Sequence, residues 1–231
     1  MIRPCLLLAV LALAPGCETV RGVLGPTTGA PAATAPSPAT DRQQARNLYL
    51  DVIRGLRERG SNRAALAHLD EYERQHGQSP ASNLMRGEIL TDLGDEPGAT
   101  AALGRISGGA EQAAALNTMG LLAGRGARWN EAKDRFEAAI RLEPTNVRFI
   151  NNLGFALLNL GDAPGAEHRL RMASELDPNS EEVRNNIALL LLATGRRADG
   201  ERVLGQIQSS ETRNAIRREA QRLTIRPERR S

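Results

Sequence analysis

The chain has 231 residues, a formal net charge of +3 and 41% hydrophobic, 25% charged and only 3% aromatic residues. So few aromatic residues exclude an all-β sandwich or barrel as the natural reading, and the abundant Ala, Leu, Arg and Glu are strong helix formers. The 2 cysteines cannot build a disulfide scaffold or an all-cysteine zinc site, and a mean hydropathy of −0.37 excludes a multi-span membrane protein.

The first segment sets the compartment. Arg3 gives a positive start, Leu6 to Ala14 is an unbroken apolar run, and Ala14-Pro15-Gly16 is a small-residue exit before Cys17. This is the anatomy of a cleaved secretory signal, too short to span a bilayer as a stable helix. A cysteine directly after such an exit resembles a bacterial lipoprotein signal, which implies acylation of Cys17 and cleavage before it. The usual leucine three residues before the cysteine is here Ala14, with Leu13 one further back. Three acyl chains exceed the two signals that stable anchoring needs. Glu18 follows the cysteine where an aspartate would favour the inner membrane, so the expectation is an outer-membrane, periplasm-facing, lipid-anchored protein. That address makes nucleic acid an improbable partner despite a pI of about 9.4. Cys5 falls in the discarded signal, which leaves no free thiol for catalysis.

Domain boundaries follow: residues 1–16 signal, 17–40 lipidated cysteine and tether, 41–224 folded domain, 225–231 basic tail. The tether carries Pro26, Pro31, Pro36 and Pro38 among Gly, Ala, Ser and Thr. It cannot bury apolar area and is expected to be disordered. Its roughly 23 residues would reach about 70 Å at ~3.1 Å each.

From residue 41 the chain repeats itself. The segments that start at Asn117 and Asn151 align at an offset of 34 residues. In one copy the pattern reads Leu116, Met119, Gly120, Ala123, Ala132, Phe136, Ala139, Pro144. In the next it reads Ile150, Leu153, Gly154, Leu157, Ala166, Leu170, Ala173, Pro178. This is the period and signature of the tetratricopeptide repeat, one helix-turn-helix per unit. Gly120 and Gly154 are expected to admit the second helix closely, as are Ala132 and Ala166 from the other side. Pro144 and Pro178 should stop the second helices.

Weaker copies flank these two. Upstream lie Gly87, Leu90, Ala99, Leu103 and Ile106, about one residue short, with Ser107-Gly108-Gly109 in place of the proline turn. A degenerate first copy holds Tyr49, Val52, Leu56, Ala65, Leu69 and Tyr72, with Ile53 where a small residue is expected. Downstream are Ile187, Ala188, Leu191, Leu204 and Ile207, with Gly200 at the alanine position. Terminal repeats drift because one face meets solvent. A last helix near Glu211 to Leu223 reads as a solvating cap. The expected fold is all-α, a tetratricopeptide-repeat solenoid of about five helix pairs plus a C-terminal capping helix.

Catalytic motifs do not assemble. His68, His76 and His168 have no second ligand at metal spacing, and the single lysine, Lys133, follows no glycine-rich loop. There is no HExxH or GxSxG motif, and no carboxylate pair stands apart in an apolar setting. The reading is a non-enzyme with no cofactor, no metal and no small-molecule substrate, whose partner is another protein.

The first helix of each repeat lines the groove in this architecture. Asn117, Asn151 and Asn185 recur there, with Asn152 and Asn186 as a second row. The amides could meet a bound peptide, or bond within and between repeats. Leu121, Phe155, Leu158, Leu189 and Leu192 would add apolar surface for an amphipathic partner helix. Arg125 and Arg148 could pair with its acidic residues. Arg213, Arg217, Arg218, Arg222, Arg226, Arg229 and Arg230 at the end either meet anionic surfaces or simply solubilise a cap.

A lipoprotein signal, a proline-rich tether and only tetratricopeptide repeats, with Asn151-Asn152-Leu153-Gly154-Phe155-Ala156-Leu157 and the Val183 to Leu191 segment, resemble the TadD-type lipoproteins of tight-adherence (Flp) pilus systems. The resemblance implies a pilotin-like role at the outer membrane: binding a secretin subunit and aiding its localisation or assembly. A general envelope scaffold for outer-membrane protein assembly, type IV pili or peptidoglycan enzymes is the other reading.

Overall fold

The computed structural model describes residues 38–223, with side chains from Arg42 onward. The signal, Cys17, most of the tether and the tail arginines Arg226, Arg229 and Arg230 lie outside the described residues. The chain divides into two compact units, Met1–Asp41 and Arg42–Ser231, and the helix pairs belong to the second.

Among the described residues there are eleven helices and no strand. They are α1 (Pro38–Glu58), α2 (Asn62–His76), α3 (Pro80–Leu93), α4 (Glu96–Leu103), α5 (Gln112–Arg125), α6 (Trp129–Leu142), α7 (Val147–Asn159), α8 (Ala163–Leu176), α9 (Glu181–Ala193), α10 (Arg197–Leu204) and α11 (Ser210–Leu223). They form five helix pairs and a closing helix, each pair packed on the next, as the 34-residue period requires. α1 begins at Pro38, inside the segment read from sequence as tether. α4 and α10 are only 8 residues long against 14 for α6 and α8, which is where the flanking copies lose their regularity.

The pairs close through the small residues. Ala132, Ala166 and Ala173 are fully buried. A Cβ on Gly120 would stand 2.5 Å from Cε1 of Phe136, and one on Gly154 2.8 Å from Leu170. α6 and α8 end just before Pro144 and Pro178, which lack the amide needed to continue a helix. The first pair keeps the register but changes which side chain is buried. Val52 is 49% exposed, whereas Ile53 is fully buried against Ala65 and Leu69. The bulky side chain fills the space that glycine leaves for a neighbour elsewhere.

Each turn inside a pair carries a left-handed residue two positions before the second helix: Gly60, Gly94, Gly161 and Gly195 at φ 74–82°, and Ala127 at φ 54°. Only Ala127 has a Cβ, which the left-handed region crowds against its carbonyl at about 1–2 kcal/mol. Glycine costs part of that back through unfolded-state entropy. Ala127→Gly is therefore expected to stabilise the fold by about 0.5–1 kcal/mol, read as a higher midpoint in urea unfolding at constant slope.

The closing helix is held by its arginines. Arg213 donates to the carbonyls of Ile207 and Gln208, Arg217 to Glu201 at 2.7 Å, and Arg222 to Glu219 and to Asn159 Oδ1 at 3.0 Å. The hydrogen bonds from Arg217 and Arg222 hold the carboxyls of Glu201 and Glu219 below the usual glutamate range. Three of the arginines read from sequence as a basic patch thus fasten α11 to the repeats.

Candidate partner-binding groove

The first helices α3, α5, α7 and α9 stack side by side, so equivalent positions form rows along the groove. One row runs Glu88, Leu121, Phe155, Leu189. Its members sit on α3, α5, α7 and α9 in turn. At the α3 end the row is ionic. Arg57 of α1 donates to Glu88 and to Asp92, both at 2.7 Å. Arg125 of α5 bonds the Thr91 carbonyl and reaches Asp92 at 3.6 Å. Burial pushes the Glu88 carboxyl above the usual range, against the pull of Arg57 and Arg148. At the far end the row is covered, because Leu189 lies in the cluster that includes Ile216 and Ala220 of α11.

Between those ends the row is open. Leu121 is 39% exposed and Phe155 is half-buried, its ring packed edge-on to Trp129 at 5.6 Å. Two adjoining hollows share Leu121, Asn152 and Phe155. One, of about 230 Å³, lies between α5, α6 and α7 and is walled by Gly120, Gly124, Arg125, Trp129 and Phe136. The other, of about 380 Å³, continues toward α9 past Arg148, Asn151, Glu182, Asn185 and Asn186. Of the ten groove residues read from sequence, Leu121, Arg125, Arg148, Phe155 and Asn185 line this continuous surface, and Asn151 lies in its floor, almost fully buried.

Three others do not. Leu158 and Leu189 are buried, at 1% and 4% exposure, and belong to the core that α7, α9 and α11 share. Leu158 stands one turn from Phe155, rotated enough to face the helix interface instead of the groove. Leu192 packs over Gly200 and lines a separate hollow beside Arg217 on α11. The tenth, Asn117, lies beneath the surface.

The asparagines prove to be bonded to one another. Nδ2 of Asn152 donates to Oδ1 of Asn117 at 2.8 Å, and Nδ2 of Asn186 to Oδ1 of Asn151 at 2.9 Å. The two rows form inter-repeat clasps, α7 to α5 and α9 to α7. Asn117 and Asn151 show almost no surface, so their carbonyls serve packing. A buried amide without a partner costs about 1–3 kcal/mol, which explains why the donors fall one residue after each acceptor row. The Asn185 carbonyl oxygen is buried with no hydrogen-bond partner. The next segment supplies Gln208, Ser209 and Thr212 beside it, because the short α10 breaks the 34-residue register.

Trp129, Gly124 and Glu182 complete the lining, and periodicity does not single them out. Their signal is an exchange of size between repeats. Gly124 stands where Leu158 and Leu192 stand later, and Trp129 where Ala163 and Arg197 stand. A Cβ on Gly124 would already touch the Trp129 ring at 3.0 Å. Among the described residues no group of His, Cys, Asp and Glu is placed to hold a metal, and no helix is long and apolar enough to cross a membrane.

Known proteins share this architecture. Residues 126–185 match the tetratricopeptide-repeat family. The TPR repeat-containing protein PA4299 of Pseudomonas aeruginosa is 32% identical over 168 residues, covering 71% of this chain and 66% of that protein. The matched region thus spans just under two thirds of that relative's length. Among solved structures, Pseudomonas aeruginosa PilF superposes with a TM-score of 0.57 at 20% identity, over 80% of this chain and 89% of that one. A thermophilic repeat protein of Thermus thermophilus gives 0.60 at 18% identity, over 78% of this chain and 100% of that one. Period, helix pairing and these likenesses agree on the fold: an all-α solenoid of tetratricopeptide-repeat type, with the family match itself confined to residues 126–185.

Proposed function

We propose that the chain is an outer-membrane-anchored assembly factor for a tight-adherence (Flp) pilus, acting in a pilotin-like way on the secretin through the groove of α5, α7 and α9. The observation that carries this reading is an open, aromatic-lined groove on a solenoid that follows a lipoprotein-like signal and a proline-rich tether. Cys17 supplies the anchor, the tether gives the solenoid reach from the membrane, and the groove grips a secretin segment. The TadD-like segments around Asn151 and Asn185 support the pilus assignment, and the fold shared with PilF is compatible with it.

Membrane fractionation together with affinity isolation of the tagged chain tests it. Wild-type chain is expected in the outer-membrane fraction with the secretin bound, and Cys17→Ser in the soluble periplasmic fraction with fewer secretin multimers in the membrane. Retention of Cys17→Ser in the membrane overturns the anchor. Isolation that recovers other envelope machinery in place of the secretin overturns the pilus role in favour of a general scaffold.

A further inference from the structure

The groove's charges and rings select a partner chemistry. The hollow between α5, α6 and α7 is walled by Gly124 and by the Trp129 ring that packs against it. Trp129 and Phe155 meet there edge to edge, 5.6 Å apart. At about 230 Å³ it falls below the usual range of about 300–1,000 Å³ for small-molecule sites, and it suits one large apolar side chain. Aromatic residues and arginine are the residue types that anchor protein interfaces. This chain has 1 Trp and 3 Phe, and Trp129, Phe136 and Phe155 all meet at this hollow.

The charge around it is uneven. The carboxylates of Glu88 and Asp92 share Arg57, and Arg125 reaches Asp92 at 3.6 Å, so two arginines balance two acids at the α3 end. Arg148 has no carboxylate within ion-pair distance among the described residues. Its guanidinium carbon lies 5.9 Å from the centre of the Phe149 ring, its attraction to Glu88 acts only beyond ion-pair distance, and the side chain is exposed along the groove. Arg125 stands on the other side of Leu121, shared between the Thr91 carbonyl and a long contact to Asp92. Glu182 is the opposing carboxylate, on the α9 wall, so an acidic group is favoured beside α5 and α7 and disfavoured toward α9.

We infer that the groove takes a segment bearing one bulky apolar side chain and, within about one helical turn of it, an acidic residue. The apolar group enters the Leu121–Trp129–Phe155 hollow, and the acid pairs with Arg148. This deepens the proposed function and rests on the groove being the partner site.

A library of random 12-residue peptides displayed on phage, selected against the full chain in detergent, is the direct test. Enriched peptides are expected to share a Phe, Leu or Trp with Asp or Glu within four positions. As synthetic peptides they should quench or shift the fluorescence of Trp129, the chain's sole tryptophan. Both Leu121→Asp and Arg148→Glu change exposed side chains, and each is expected to weaken binding at least tenfold with the helical circular dichroism unchanged. A basic consensus, no enrichment, or binding insensitive to both variants overturns the inference. Secretin capture separates this from the function. If wild-type chain captures the secretin and both variants capture it equally, the inference falls and the function stands. If the acidic peptides bind but no secretin is captured, the function falls and the inference stands.

Discussion

Phe136→Ala is expected to destabilise the protein by about 3–5 kcal/mol, the usual cost of deleting a buried aromatic ring. The ring is 3% exposed and fills the contact between α5 and α6, lying where a Cβ on Gly120 would fall. It belongs to the cluster that runs through α7 to α11, so its loss loosens more than one pair. The converse change overfills the same contact. Gly120→Ala would place its methyl 2.5 Å from Cε1 and 2.7 Å from Cδ1 of a stiff ring, and overpacking of this kind costs about 1–3 kcal/mol. The two changes together should cost less than their sum, because the methyl enters the space the ring leaves. Urea unfolding of the four proteins measures the coupling. Simple additivity would show that the glycine is not there for the ring.

Arg86→Ala is expected to cost about 3 kcal/mol near neutral pH, the cost of leaving a buried charge unpaired. Arg86 reaches from α3 back to α2 and donates to Asp70 and to Glu73, both at 2.6 Å. The Glu73 side chain is only 8% exposed and its other oxygen, Oε1, has no partner. Removing the guanidinium leaves that carboxylate only a long 3.4 Å hydrogen bond from Gln78. The double change Arg86→Met with Glu73→Leu should recover most of the loss, because burial of both charges is itself costly. Chemical unfolding of the single and double variants decides it. A single variant within 0.5 kcal/mol of wild type, the range of about ±0.5 kcal/mol typical of surface substitutions, would mean that solvent reaches Glu73.

Both predictions concern contacts that hold successive helices at a fixed spacing, which is what keeps the groove in register. In a solenoid each repeat touches only its neighbours, so loss of a contact at α2/α3 or α5/α6 is expected to stay local in structure. Its effect on the groove depends on distance. Phe136 forms part of the hollow beside Trp129, whereas Arg86 acts on the α2/α3 junction.

The amino-acid sequence by itself determined the fold class, the helix pairs and most of the residues that close them. The reason is that a repeat writes the same local problem several times. Gly120 with Phe136 and Gly154 with Leu170 recur at one spacing, and Pro144 and Pro178 stop equivalent helices. Where the repeat drifts, so does the reading. The first copy carries Ile53 where the other copies carry glycine, and with that space filled Val52, a pattern position by sequence, stands exposed. The site was only partly legible. Recurrence marks Asn117, Asn151 and Asn185, but it cannot say whether an amide faces a partner or the next repeat. That depends on the neighbouring side chain, and Asn152 and Asn186 turn out to supply the donors. Tertiary structure alone decided that α11 covers Leu189 while Leu121 stays open, although both occupy the same position in their repeats. It also decided that the Trp129 ring packs on Gly124 and meets Phe155 edge-on at the open hollow. Periodicity reports what repeats share, and a binding surface is made by the places where they differ.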